Sequence, residues 1–96
     1  MGPQKPNTPA LWGRHKVVPR FFMNLRYRDR LFMDEEGDEL ADEHAVLGHA
    51  LGTARDLIAN GRMHSIRNWF DCSFEVTNEA GRVVLIFPFS ETIDQN

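Results

Sequence analysis

Between Pro19 and Arg28 the chain alternates: Phe21, Met23, Leu25 and Tyr27 share one parity, and Arg20, Asn24, Arg26 and Arg28 the other, with Phe22 the exception. A period of two puts the two sets on opposite sides of a pleated strand, so the segment predicts a half-buried strand with a largely polar outer face. Residues 28–30 read as a polar turn, and Leu31, Phe32 and Met33 as a short return strand that completes a first hairpin. Over residues 43–60 the spacing changes to steps of three and four, with Leu47, Ala50, Leu51, Ala54, Leu57 and Ile58 apolar. That spacing predicts an amphipathic helix with His49, Thr53, Arg55 and Asp56 toward water. Asp42 is the expected N-cap, acids in the first turn complement the helix dipole, and Asn60-Gly61 predicts a left-handed stop.

Period two returns at Phe70, Cys72, Phe74 and Val76, and again at Val83, Leu85, Phe87 and Phe89, with Asn78-Glu79-Ala80-Gly81 as the turn between them. A loop of all four turn residues pairs Val76 with Val83, Phe74 with Leu85, Cys72 with Phe87 and Phe70 with Phe89, so every inward pair is apolar. A three-residue loop closing Asn78 on Arg82 sets Leu85 opposite Glu75 and Phe87 opposite Ser73, and burial favours the longer loop.

The order strand, strand, helix, strand, strand predicts an α+β fold of ββαββ type, a four-stranded antiparallel sheet with one helix packed on one face. Val84 and Ile86 fall on the face opposite Leu85 and Phe87, so the last strand is apolar on both sides. With Trp69 they form the candidate interface, and a homodimer is the expected cover for it.

A chain of 96 residues supports one small core, assigned to a single α+β domain at residues 19–90. Residues 1–18, with Pro3, Pro6 and Pro9, are expected to form a flexible tail, and residues 91–96 a C-terminal tail. The lone cysteine, Cys72, excludes an intramolecular disulfide, and no run approaches the roughly 20 apolar residues of a membrane span. The first thirty residues lack a secretory apolar region, and the expected location is the cytoplasm.

The net charge of −3 conceals a gradient. Residues 1–33 carry +6, residues 34–43 carry −7 and the remainder −2. The acidic balance gives no global attraction to nucleic acid, yet Arg26, Arg28 and Arg30 on the first hairpin, beside Phe22, are a candidate anion or nucleic-acid contact.

Other clusters carry less chemistry. The acidic run fails the EF-hand spacing, because the position five before Gly37 is Phe32, and it reads as a solvated loop. His44 and His49, five apart, sit about 140° apart around a helix and cannot share a metal as an i, i+4 pair does. Cys72 lies on an inward parity between Phe70 and Phe74 and is expected to be buried and inert. Ser65, Ser73 and Ser90 lack a nucleophile-elbow context. No catalytic, cofactor-binding or metal-ligating set is expected, and no cofactor.

Pro19-Arg20-Phe21-Phe22, Asp34-Glu35-Glu36-Gly37 followed by Glu39-Leu40, an alanine-rich helix, Trp69, and Phe74-Glu75-Val76-Thr77-Asn78-Glu79-Ala80-Gly81-Arg82-Val83-Val84 occur in that order. Over residues 19–90 the chain resembles a family of small uncharacterised proteins common in rhizobia and related soil bacteria, classed as a domain of unknown function. The resemblance implies boundaries and no activity. Its members begin Met-Pro-Arg where this chain has Val18-Pro19-Arg20, and the GTG codon for valine also starts bacterial translation, so the expected native start is position 18.

Two functions follow as expectations. The first is a non-enzymatic interaction module that self-associates. The alternative is a nucleic-acid-binding or antitoxin-like regulatory domain that uses the arginine hairpin, an analogy at the level of fold.

Overall fold

Arg20–Tyr27 form β1, and its alternation is realised: Phe21, Met23, Leu25 and Tyr27 are all buried on one face. A two-residue loop returns the chain into β2 (Arg30–Phe32), which pairs antiparallel with β1, Tyr27 opposite Arg30 and Leu25 opposite Phe32. These elements come from a computed structural model that describes residues 18–94. Residues 1–17 of the expected tail at 1–18, and with them the start-site reading, lie outside the described residues.

The acidic run is more ordered than a solvated loop. Asp38–Glu39 form β3, which pairs with the opening of β1 through Arg20 opposite Glu39 and Phe21 opposite Asp38. The sheet therefore has five strands where four were expected. Asp34 organises the loop before β3: its carboxylate accepts the backbone N–H groups of Met23, Glu36 and Gly37 at 3.0, 3.2 and 3.1 Å. Gly37 is required there, since its φ is +71° and a Cβ would stand 2.9 Å from the Phe21 carbonyl oxygen.

Helix α1 (Glu43–Asn60) begins where expected, with the Asp42 carboxylate accepting the Ala45 N–H at 3.0 Å. It buries a stripe of Val46, Ala50 and Ala54, whereas Leu47 is 53% exposed. The expected apolar face is thus rotated by about one residue. Alanines at Ala50 and Ala54 let the helix axis come close to the sheet, and the larger Leu51, Leu57 and Ile58 wedge in at the sides, half-buried against the core. Its end differs too. Gly61 has φ −67°, so no left-handed stop forms, although its N–H does close on the Leu57 carbonyl at 2.7 Å.

A 3-10 turn at Trp69–Asp71, capped by the Asn68 side chain, leads into β4 (Cys72–Thr77). Phe70, read as inward, sits in this turn and is exposed. β4 pairs with β1 along its whole length, Met23 opposite Val76, Leu25 opposite Phe74 and Tyr27 opposite Cys72. β5 (Val83–Pro88) pairs with β4, and the order across the sheet is β2-β1-β4-β5 with β3 beside β1.

The last hairpin corrects the expected register. Asn78 N–H donates to the Arg82 carbonyl at 3.0 Å, and Gly81 takes φ +83°, so the loop is the three-residue closure that burial had disfavoured. A bulge reconciles the two: Thr77 pairs with Val83 but Val76 with Leu85, leaving Val84 as the extra residue. Beyond it Leu85 and Phe87 face Val76 and Phe74, so the inward pairs stay apolar two residues out of the expected register. Pro88 has no N–H to continue the ladder, and Phe89 opens a 3-10 helix, Phe89–Asp94, in place of the expected strand end, while residues 95–96 of the expected tail at 91–96 lie outside the described residues. Phe89 is fully buried, 4.9 Å from the Phe74 ring and stacked at 6.3 Å on Trp69.

Asn24 is the polar residue buried on the face away from the helix, only 2% exposed. Its amide donates to the Glu75 carbonyl at 3.0 Å and the Thr77 hydroxyl at 3.3 Å, and its oxygen accepts the Asp34 N–H at 3.0 Å. The acidic loop is therefore latched onto the outer face of the sheet. Asn24→Ala leaves those partners unmet and is expected to cost about 2 kcal/mol in urea unfolding. A loss under about 0.5 kcal/mol would show that the latch contributes little.

Candidate functional site

The sheet has unequal edges. On one side β1 is covered at its two ends by the short strands β2 and β3. On the other, β5 is the end of the sheet among the described residues, six residues long and without a charged side chain between Val83 and Pro88. Edge strands are usually blunted by charge, proline, a bulge, shortness or a cover, because their free N–H and C=O groups template pairing with another chain. Strand β5 has a bulge at Val84 and a proline at its end, but no charge and six residues of length. Here Val83 is 50% and Ile86 59% exposed.

Beside this edge, an open groove of about 630 Å³ runs between α1 and β5. Leu47, Gly48 and Leu51 form its helix wall, and Leu85, Ile86 and Pro88 its strand wall. Leu47 lines it because the alanine stripe, not the leucines, seats the helix on the sheet. Gly48 and Gly52 have nothing within 4 Å of where a Cβ would stand, so this part of the helix presents a flat backbone surface. The sequence did carry a signal for the groove: two glycines inside a helix, each costing about 1 kcal/mol relative to alanine, and an uncharged terminal strand.

The expected interface residues separate. Ile86 is exposed, as its parity implied, whereas Val84 at the bulge and Trp69 are half-buried and pack against the core. The outer face of the sheet that Val84 and Ile86 were to share is largely polar and partly covered by the Asp34 loop.

The three hairpin arginines also separate. Arg26, on the outer face, is paired with Glu75 at 2.8 Å, and that hydrogen bond strengthens its hold on its proton. Arg28 and Arg30 stand at the hairpin tip, over the rings of Tyr27 and Phe32 at 5.0 and 5.1 Å. Arg67 and Ser65 join them from the connector after the helix, held there by the Arg67 N–H donating to the Tyr27 hydroxyl at 3.3 Å. Sequence reading missed both, since a contact spanning 40 residues has no local pattern.

Cys72 is buried, and desolvation, helped by the Asp71 carboxylate, pushes its thiol up to about 11. A thiol so placed is a poor nucleophile near neutral pH. His49 bonds Asp38 at 3.1 Å and ties α1 to β3, while His44 lines the groove. Among the described residues no cluster of three or more His, Cys, Asp or Glu side chains forms a metal-binding group. No described helix is long and apolar enough to cross a membrane.

Searches of curated proteins and of solved structures find no match to this chain. Residues 20–90, most of the chain and nearly all of the fold above, match the domain of unknown function DUF6894, and the protein belongs to that family.

Proposed function

We propose that this protein is a non-enzymatic interaction module that self-associates by adding the β5 strand of a second copy, antiparallel, to its own exposed β5 edge. One observation carries the reading: a six-residue uncharged edge strand with Val83 and Ile86 open to solvent, flanked by an apolar groove. Pairing two such edges about a two-fold axis satisfies both rows of backbone groups and continues the sheet across the dimer. The same step places Leu47 and Ile86 of each copy near the new interface, where burying each large aliphatic side chain contributes about 1.5–3 kcal/mol. The single cysteine, buried and unpaired, fits a cytoplasmic setting for such a module.

Backbone hydrogen exchange tests the edge. Amides of Val83 to Phe87 are expected to gain protection as protein concentration rises, and Ile86→Glu to abolish that gain while protection in β1 and β4 stays unchanged. Concentration-independent exchange in β5 of the wild type would remove the pairing.

A further inference from the structure

A second surface, remote in sequence from the β5 edge, has the composition of an anion site. At the tip of the first hairpin a cavity of about 280 Å³ is lined by Tyr27, Arg28, Asp29, Arg30, Ser65 and Arg67. Three arginines and one aspartate, Asp29, line it, so the lining carries a net positive charge. Among the described residues neither Arg30 nor Arg67 has an ion-pair partner, and Arg28 has only a long contact of 3.7 Å to an exposed Asp71. We propose that this cavity binds a single phosphate group of the phosphomonoester class, with Arg28, Arg30 and Arg67 supplying charge-assisted hydrogen bonds and the Ser65 hydroxyl a neutral one.

Arginine suits this ligand because its planar fork matches two phosphate oxygens at once. The positions of these groups are fixed by structure. Arg30 is set by its pairing with Tyr27 and its place over Phe32, and the Arg67 backbone is held by the Tyr27 hydroxyl. Arg28 adds an independent observation. It has φ +59°, the single non-glycine residue with positive φ among those described. Glycine adopts that conformation without steric cost, and an L side chain does not. An arginine at a position that favours glycine points to a use for its side chain.

The alternative ligand of this charge, a nucleic-acid backbone, fits less well. A polyanion needs a run of free cations, but the next arginines along β1 are occupied: Arg26 by Glu75 at 2.8 Å and Arg20 by Glu39 at 3.0 Å. Arg28, Arg30 and Arg67 line one small cavity instead of following a track.

The test is an amide chemical-shift titration of the full-length protein with inorganic phosphate, phosphoserine and, separately, a short single-stranded RNA. Phosphate and phosphoserine are expected to give saturable shifts at Arg28, Ser65 and Arg67, and Arg67→Ala to weaken both by about tenfold with the remaining spectrum unchanged. Arg28→Gly is expected to weaken phosphate binding similarly while raising Tm by roughly 4 °C, because it relieves the strained turn. Loss of binding with no gain in Tm still supports the ligand contact through Arg67→Ala. Shifts that fail to saturate, or that persist undiminished in both variants, overturn the site. RNA binding far tighter than phosphoserine, with an affinity that falls steeply with salt, overturns the single-phosphate proposal in favour of a polyanion surface.

Discussion

Phe89→Ala should lower the stability of this protein by about 3–5 kcal/mol, the largest loss expected from any single truncation in the fold. Phe89 is the largest side chain wholly removed from solvent. It follows the end of β5, so its ring reaches back under the sheet to meet Phe74 at 4.9 Å and Trp69 at 6.3 Å. Alanine removes the ring where rigid walls on both sides, β4 and the Trp69 turn, cannot close over the void. Domains of this size have roughly 5–15 kcal/mol in total, so the variant is expected to populate unfolded chain at room temperature or to lose most of its urea midpoint. Phe89→Leu, which keeps most of the volume, should cost less than about 1.5 kcal/mol. An alanine variant that loses under about 1 kcal/mol would place Phe89 outside the core and leave the 3-10 helix after β5 without an anchor.

Gly61→Ala is expected to cost about 3 kcal/mol, at the upper end for overpacking. A Cβ there would stand 2.6 Å from the Leu57 carbonyl oxygen and 2.6 Å from Cζ2 of Trp69. The carbonyl cannot yield, since it already accepts the Gly61 N–H at 2.7 Å. The cause is close approach and not backbone sign, because φ is −67°. The two causes separate experimentally. Asparagine tolerates a left-handed conformation and would rescue a left-handed stop, but here Gly61→Asn should unfold at least as easily as Gly61→Ala. In a Trp69→Leu background part of the alanine penalty should disappear, a coupling of about 1 kcal/mol in a double-mutant cycle. A tolerated asparagine would restore the left-handed reading.

These two sites mark the boundary of what local pattern reveals. β1, α1, β4 and β5 were legible because each carries its own period, and Asp42 announced the helix start with a side chain that needs only its neighbours. The phase of the helix was not legible. Leu47 carries more apolar surface than Val46, but two alanines on the Val46 side decide which face can approach a sheet. Register failed for a similar reason: the three-residue loop and the Val84 bulge each look wrong alone and are right together. Strand β3 is two residues among acids, paired through Arg20, whose guanidinium bonds both Glu39 and the Glu36 carbonyl.

The candidate surfaces follow the same division. Ile86 was visible as an apolar residue on the wrong parity, and the structure adds what parity cannot, namely that β5 is a sheet edge with Leu47 alongside. The hairpin arginines were visible as a group, yet their sorting depended on Glu75 taking Arg26 and on Arg67 arriving from across the chain.

Solution mass by light scattering across a wide concentration range decides whether β5 pairs with a second β5. The expected result is a mass approaching twice the 11.1 kDa of the chain at high concentration, with Ile86→Glu remaining a folded monomer throughout. A wild type that stays at the monomer mass at every concentration, indistinguishable from a folded Ile86→Glu variant, would contradict it.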